Sequence, residues 1–251
     1  MTRILDLLLV AGTAILAVRL FVAGLHRRYR VFSFFLIFET LRSGVFTSLN
    51  QASGAYQKVW VLTEPLEWLF YILVVLEIYA LVLEDYRGLS TVGRGALIAA
   101  VVVALLASGI SLIAPSQSTQ SLLMRYYYVA ERAVYFSLVV FLLTILGVLM
   151  QYPITLSRNI IVHSMVFSVY FLANTVVYLL LSMRGVEYIP LVTLAFSATT
   201  LAAVGTWLVM LTAAAEFSKM RLRPYWMPGR EEELVSQLNH LNAALLRAAR
   251  K

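Results

Sequence analysis

The sequence predicts an all-α protein that crosses a membrane as a bundle of seven helices. Of the 251 residues, 61% are hydrophobic and only 13% are charged. Average soluble domains contain about half apolar and about a quarter charged residues. The apolar residues also form seven stretches, each supplying the roughly 20 residues that a helix needs to cross about 30 Å of hydrocarbon. Helices satisfy their own backbone hydrogen bonds in lipid, and no alternation typical of a barrel is present.

The seven predicted spans follow one another within residues 1–215, which we interpret as one membrane domain. They cover residues 4–25, 31–49, 59–83, 95–114, 128–150, 159–183 and 190–214. The first span is too long for the apolar part of an ordinary signal peptide, and the basic residues His26, Arg27, Arg28 and Arg30 follow it directly. We therefore expect this segment to be retained as a helix.

The distribution of positive charge predicts that the N-terminus lies outside the cell and the C-terminus in the cytoplasm. In this orientation the basic residues near helix ends are mostly cytoplasmic, and that bias sets membrane topology. The net charge of +7 follows from this asymmetry and from the basic tail. It predicts contact with anionic lipid headgroups and requires no nucleic-acid partner. We expect a multi-pass protein of the bacterial inner (plasma) membrane.

The C-terminal residues predict a linker and a cytoplasmic helix. Residues 216–230 are basic and aromatic, which is typical of a juxtamembrane linker, and residues 231–251 have the pattern of an amphipathic helix. Its leucines recur at a spacing of four, three and four residues, which predicts a coiled-coil contact with a second copy or a partner helix. These leucines are Leu234, Leu238, Leu241 and Leu245. Alternatively, the same leucines lie flat on the membrane surface.

The centre of this tail, Leu-Asn-His-Leu-Asn-Ala-Ala-Leu-Leu, resembles the signalling helices that link multi-helix membrane sensors to histidine-kinase or cyclase output domains. The resemblance covers about 20 residues. It implies a sensor-like membrane module whose output domain lies on another chain.

Ionisable residues within the spans are the main candidates for function, because each is costly at membrane depth. The candidates in the second, third and fifth spans are Glu39, Arg42, Glu64, Glu67, Glu77 and Arg132. A helical rise of 1.5 Å per residue places Arg42 level with Glu67, and Glu64 level with Arg132. Two interpretations remain open. Either these are structural ion pairs, or the excess of carboxylates binds a proton or a cationic ligand that enters from outside.

The sixth span carries a second group of candidates. His163, Tyr170 and Asn174 share one face with Phe167 and Tyr178, because their spacing is three or four residues. This face predicts a pocket for an aromatic or amphipathic ligand, or a proton relay from His163 toward Glu77. The alternative is hydrogen bonding between helices, with the tyrosines filling space.

The absence of several motifs narrows the chemistry. The chain has no cysteine, which excludes disulfides, thiolate metal sites and cysteine nucleophiles. No metalloprotease, serine-hydrolase or phosphate-binding motif is present. We therefore predict no catalytic residue, no metal site and no cofactor. Three hypotheses follow in order of preference: a sensory or ligand-responsive membrane module, a small secondary transporter or proton-coupled carrier, and a structural subunit of a membrane complex.

Overall fold

The computed structural model of the chain describes residues 2–49, 53–84, 86, 95, 97–103, 106, 122–151, 155–184, 189–221 and 231–248. These residues are almost entirely helical, which confirms the all-α prediction for this part of the chain. The helices are α1 (Thr2–Val22), α2 (Arg30–Ser48), α3 (Gly54–Val82), α4 (Leu122–Gln151), α5 (Arg158–Arg184), α6 (Ile189–Met210), α7 (Ala213–Phe217) and α8 (Glu231–Ala248). A 3-10 turn (Leu25–Arg27) and two short strands, β1 (Thr155–Ser157) and β2 (Lys219–Arg221), complete the elements.

Five helices in the described part of the chain are long and apolar enough to cross a membrane, namely α1, α2, α3, α5 and α6. The protein is therefore suited to a membrane-embedded position. Helix α4 covers the fifth predicted span over 30 residues. The fourth predicted span is described only at residues 95, 97–103 and 106, where it is helical and buries Leu97 and Val101 in the core. The rest of that span lies outside the described residues.

Helix α3 begins five residues before the predicted span, because Ser53 caps its N-terminus. The Ser53 Oγ accepts a hydrogen bond from the Tyr56 N–H at 3.2 Å. Within α3, Pro65 has no N–H to donate to the Val61 carbonyl. The Tyr127 hydroxyl of α4 donates to that carbonyl at 3.1 Å. A backbone defect in α3 is thus satisfied by the neighbouring helix.

Helix α6 ends at Met210, four residues before the predicted end of the seventh span, and the chain then turns into α7. The Thr212 hydroxyl causes this break by accepting a hydrogen bond from the Ala215 N–H at 3.1 Å. Beyond α7, β2 pairs antiparallel with β1. The chain that leaves the last membrane helix is therefore held against the start of α5.

The six long helices α1–α6 form a closed ring in sequence order, since each contacts the next and α6 returns to α1. Helix α5 also contacts α3 across the ring. The α1–α6 contact is close at Gly12, where a Cβ atom would lie 3.1 Å from the Val204 Cγ1. A side chain at this position would press against α6.

The hydrophobic core lies at one end of the ring, which we call the opposite face: here α1 ends, α2 begins and α3 ends. The N-terminal face is the other end, where α1 and α3 begin. Large buried side chains at the opposite face fill the space between helices and include Leu16, Leu20, Phe32, Val74, Ile78, Leu138 and Phe171. The helices have less apolar filling toward the N-terminal face. A cavity occupies that half of the bundle.

Polar groups at the opposite face join the ends of several elements, in what we call the end cluster: Arg28, Tyr29, Asn159 and Glu216. The Glu216 carboxylate accepts hydrogen bonds from the Tyr29 hydroxyl at 2.7 Å and from the Asn159 amide at 3.0 Å, and it pairs with Arg28 at 2.7 Å. Burial and the charge of Glu216 raise the pKa of the Tyr29 phenol above its ordinary value. The phenol therefore remains a hydrogen-bond donor at physiological pH.

Candidate functional site

A cavity of about 630 Å³ lies inside the ring and is lined by α1–α6. We call it the acidic pocket, because five acidic side chains line it: Asp6, Glu39, Glu64, Glu67 and Glu131. Among the described lining residues, the only Lys or Arg is Arg42. Exposed lining residues, Gly54 and Gln57, lie at the N-terminal face. The pocket is thus reached from that face.

Arg42 of α2 is the centre of the acidic pocket. Its Nη2 lies 2.7 Å from the Glu64 Oε2, and its Nη1 contacts the Glu67 carboxylate. The Arg42 Nε donates to the Thr63 hydroxyl at 3.1 Å, and the guanidinium lies 5.3 Å from the centre of the Phe46 ring. The planar fork of an arginine permits several such contacts at once. One guanidinium therefore anchors two carboxyl groups one turn apart on α3.

Glu39 lies one turn before Arg42 on the same helix. Its Oε2 is 3.6 Å from the Arg42 Nη1, which is within ion-pair range but too long for a hydrogen bond. Its Oε1 accepts a hydrogen bond from the Ser43 hydroxyl at 3.1 Å. The buried Oε2 has no hydrogen-bond donor among the described residues. Glu39 therefore presents a buried oxygen without a hydrogen-bond donor on the α2 side of the pocket.

A chain of hydroxyl groups extends from Glu67 to α5. The Tyr71 hydroxyl donates to the Glu67 Oε1 at 2.5 Å, and it lies 2.8 Å from the Tyr170 hydroxyl. Tyr71 and Tyr170 are both buried. Because the Tyr71 hydrogen is directed to Glu67, Tyr170 is the donor in the second contact. Helices α2, α3 and α5 are thus connected through polar side chains alone.

Glu131 of α4 faces Glu64 of α3, and the two side chains are only 1% and 2% exposed. The Glu131 Oε1 accepts hydrogen bonds from Tyr135 at 3.0 Å and Tyr178 at 2.6 Å. Its second oxygen has no O–H or N–H donor among the described residues other than a proton on Glu64 itself. The Glu64 and Glu131 side chains interact directly. Two carboxyl groups this close do not both ionise, because like charges repel, so one of them keeps its proton. Glu64 and Glu131 therefore form a shared-proton pair.

Charge balance determines what the acidic pocket can bind. Four glutamates surround one arginine, so full ionisation would leave a formal charge of −3 before Asp6 is included. Burying an unpaired ion costs several kcal/mol even after the protein relaxes. The excess negative charge is therefore neutralised by protons or by a bound cation. The pocket can therefore exchange bound protons for a bound cation.

The deep end of the acidic pocket, toward the opposite face, is aromatic. Trp207 and Phe167 line it, with ring centres 4.8 Å apart. The Trp207 Nε1–H is buried and has no acceptor among the described residues. Behind this wall, the His163 ring lies 4.3 Å from Phe32 and 5.7 Å from Trp207, with the ring planes nearly perpendicular. Both nitrogens of His163 lack a hydrogen-bond partner in the described structure.

The structure brings some of the sequence candidates together. Glu39, Arg42, Glu64 and Glu67 share the acidic pocket, and Tyr170 joins them through Tyr71. The candidates Glu77, Arg132, His163 and Asn174 do not line it. The Asn174 amide donates to the Tyr170 carbonyl of its own helix at 2.9 Å, and its buried Oδ1 has no donor among the described residues.

Glu77 has a different position from the one predicted. Its carboxylate accepts hydrogen bonds from the N–H groups of Val31 at 2.8 Å and Phe32 at 3.0 Å. These N–H groups belong to the first turn of α2 and have no partner within that helix. Glu77 thus caps a neighbouring helix, and the contacts that the structure gives it include none with His163.

The predicted Arg132–Glu64 pair is replaced by another arrangement. Glu64 pairs with Arg42, and Glu131 is the residue of α4 that faces it. Glu131 precedes Arg132, and one residue along a helix turns the side chain by about 100°. Depth along the membrane therefore does not decide which residue of α4 faces Glu64, because it does not fix the rotation of that helix.

The sequence candidates omitted Glu131, Tyr71 and Tyr135. Tyr71 follows Glu67 by one helical turn, and Tyr135 follows Glu131 by the same distance. A Glu-x-x-x-Tyr spacing places the hydroxyl beside the carboxylate on one helix face. This repeated spacing was a signal in the sequence that would have identified all three.

In the described part of the chain, no three or more His, Cys, Asp or Glu side chains are arranged to hold a metal ion. Comparison of the chain with protein-family models, curated proteins and solved structures finds no match.

Proposed function

We propose that the protein is a seven-helix, ligand-responsive module of the bacterial inner membrane that binds a small organic cation in the acidic pocket. The observation that carries the proposal is the pocket's charge: five acidic side chains and one arginine line a cavity of about 630 Å³. Such cavities, with a few convergent polar groups, are the usual form of small-molecule sites. A cation gains more from this surplus of carboxyl groups than a neutral molecule does.

In the proposed orientation the N-terminal face is extracellular and the tail is cytoplasmic, as the distribution of Lys and Arg predicts. The pocket then opens to the outside through the region of Gly54 and Gln57. Phe32, Phe167 and Trp207 pack together at its deep end. A ligand therefore enters from outside and stops at this aromatic wall.

The end cluster gives the pocket a connection to the tail. Helices α2 and α6 line the pocket, and the chain runs from α6 through α7 and β2 toward α8. Glu216 of α7 binds Arg28 and Tyr29, which immediately precede α2. A movement of α2 or α6 on ligand binding is thus transmitted to the segment that leads to α8. The resemblance of α8 to signalling helices agrees with this direction.

The proposal is tested with butylammonium as a probe and purified protein in lipid nanodiscs. Binding to the folded state alone raises stability by about 2.7 kcal/mol at a probe concentration 100 times the dissociation constant. We expect butylammonium chloride to raise the unfolding temperature above the effect of the same concentration of sodium chloride. The increment should disappear in Glu131→Gln, which removes a pocket carboxyl group.

Glu84→Gln is the matched control, because Glu84 is exposed and pairs with Arg28 outside the pocket. This variant should retain the butylammonium increment. A wild-type protein that responds equally to both salts would contradict the proposal, as would a Glu131→Gln variant that keeps the full response.

The depth of the pocket favours a second candidate, a small secondary transporter. The lining extends along α6 from Val192 to Trp207, about 22 Å at 1.5 Å per residue. A transporter would use the same carboxyl groups and would open the aromatic wall toward the cytoplasm. Proteoliposomes loaded with unlabelled butylammonium would test this activity. A transporter would exchange the internal butylammonium for labelled butylammonium from outside, so the label would accumulate inside.

Contacts between the tail helices of two copies distinguish a sensor from a transporter. Cysteines at Leu238 or Leu241 should cross-link two copies in native membranes, whereas cysteines at Gln237 or Asn242 should cross-link poorly. Butylammonium should change the cross-linking rate in the sensor. Equal cross-linking at all four positions, or none between chains, would favour the transporter.

A further inference from the structure

We infer that the ligand of the acidic pocket has two ends: an ammonium group held by the glutamates and an aromatic ring held at Phe167 and Trp207. This inference rests on the proposed function, because it assumes that a cation occupies the pocket. It adds the chemical class of the ligand, an arylalkylamine. The evidence is that one cavity combines two chemically different ends, each with an unsatisfied polar group.

At the acidic end, the unsatisfied groups are carboxyl oxygens. The buried Glu39 Oε2 has no hydrogen-bond donor among the described residues, and the buried Glu131 Oε2 has none apart from the proton that Glu131 shares with Glu64. Both residues line the pocket. A primary ammonium group has three N–H donors and a positive charge, so it can satisfy such an oxygen and offset the surplus of carboxyl groups. A neutral alcohol offers a single donor and no charge.

At the aromatic end, the unsatisfied group is a donor. Trp207 is 4% exposed, and its Nε1–H has no acceptor in the described structure. A buried polar group of this kind loses its water without a replacement partner. Phe167 and Trp207 present ring surfaces to the same part of the cavity. A ligand ring that carries an oxygen acceptor would stack on these rings and satisfy the N–H.

The separation of the two ends sets the length of the ligand. The Tyr170 hydroxyl, which reaches Glu67 through Tyr71, lies beside the Thr200 side chain of α6. Trp207 follows Thr200 by seven residues on the same helix, which is about 10 Å along its axis. A ring joined to an ammonium group by two carbon atoms fits this scale. A single inorganic cation would fill only the acidic end.

Four amphiphilic probes test the two ends separately: tyramine, phenethylamine, butylamine and 4-ethylphenol. Their affinities for the protein in nanodiscs are measured by calorimetric titration at one ionic strength. We expect phenethylamine to bind about five-fold more tightly than butylamine, because a buried aromatic contact adds about 1 kcal/mol. Tyramine should bind more tightly again, and 4-ethylphenol, which lacks the ammonium group, should bind at least about ten-fold more weakly than tyramine.

Trp207→Phe tests the donor at the aromatic end. This change keeps a ring and removes the N–H, so it should abolish the preference for tyramine over phenethylamine and preserve the preference for phenethylamine over butylamine. Trp68→Phe is the matched control: Trp68 also has a buried Nε1–H without an acceptor among the described residues, but it does not line the pocket. The control should keep both preferences.

Ala203→Leu provides a second variant if Trp207→Phe does not fold. Ala203 lines the deep end and is 5% exposed, so a larger side chain there should weaken the binding of phenethylamine and leave that of butylamine nearly unchanged. Equal affinity for butylamine and phenethylamine in the wild type would overturn the two-ended ligand and leave the cation site intact. Absence of binding by every amine would overturn both the inference and the proposed function.

Discussion

Arg42 holds together the acidic side chains that approach it from α2 and α3. Its guanidinium lies 2.7 Å from the Glu64 carboxylate and contacts Glu67 directly. All three side chains are at most 9% exposed. Removing one member of a buried ion pair leaves a charge without compensation, and this costs more than the pair contributes when both members are present. The stability of the cluster therefore depends on each partner in a non-additive way.

A double-mutant cycle on Arg42 and Glu67 tests this dependence. Arg42→Ala should destabilise the protein by about 3–5 kcal/mol, since it leaves buried carboxylates unpaired. Glu67→Gln should cost less, and the double variant should lose at least about 1 kcal/mol less than the sum of the single changes. Unfolding in nanodiscs or in mixed micelles measures all three values.

Glu84→Gln serves as the control for this cycle, because its ion pair with Arg28 is exposed and should contribute less than about 1 kcal/mol. Strict additivity of Arg42→Ala and Glu67→Gln would show that the two side chains do not depend on each other, contrary to the structure.

At the scale of residues, the sequence was sufficient to identify Glu39, Arg42, Glu64 and Glu67. A charge in an apolar span is costly wherever it points, so its presence alone indicates a partner or a ligand. The choice of partner needed more information. Glu131 and Arg132 are neighbours in sequence, and only the rotation of α4 decides that Glu131 faces Glu64.

Helix ends and helix neighbours explain several polar residues that do not belong to the pocket. Glu77 accepts hydrogen bonds from two N–H groups in the first turn of α2. The N-terminus of a helix carries a partial positive charge, so a carboxylate at this place is favourable for charge as well as for hydrogen bonding. Glu77 therefore fixes where α2 begins relative to α3.

Replacement of Glu77 separates this capping role from a proton relay. Glu77→Gln keeps one acceptor oxygen and loses the charge, so we expect a loss of about 1–2 kcal/mol of stability. The butylammonium increment in unfolding temperature should remain. A variant with unchanged stability and no response to butylammonium would support the relay instead.

The membrane-spanning helices could be predicted well from the sequence, because a long apolar stretch is enough to indicate each of them. The apolar spans of α1, α2, α3, α5 and α6 agree with the predicted ones to within a few residues at most ends. The discrepancies come from polar caps within or next to apolar sequence. Ser53 starts α3 early and Thr212 breaks the seventh span into α6 and α7, because a single hydroxyl can satisfy free N–H groups at either position.

For the whole molecule, charge asymmetry gives the proposed orientation, and a cysteine-free sequence makes it testable. Gln57 lies at the N-terminal face and Ser236 in the tail helix, and both are exposed. Gln57→Cys should react with a membrane-impermeant thiol reagent on intact cells. Ser236→Cys should react only after lysis, and its labelling on intact cells would rule out the proposed orientation with seven spans.

The cavity is a property of the complete ring and could not be predicted from any single helix. It exists because bulky core side chains gather at the opposite face, while α1 and α6 close the ring through the close approach at Gly12. The sequence indicates which residues are apolar and which are charged. The space between the helices depends on how all of them pack.

Modification of the pocket carboxyl groups tests the central claim, that protons and a cation compete for the acidic pocket. Dicyclohexylcarbodiimide is an apolar reagent that reacts with protonated carboxyl groups. The shared-proton pair of Glu64 and Glu131 should react with it, and mass spectrometry of the digested protein should locate the product on one of these two residues. Butylammonium should slow the reaction, whereas the same concentration of butanol should not. A reaction rate at Glu64 and Glu131 that is the same with and without butylammonium would contradict the claim.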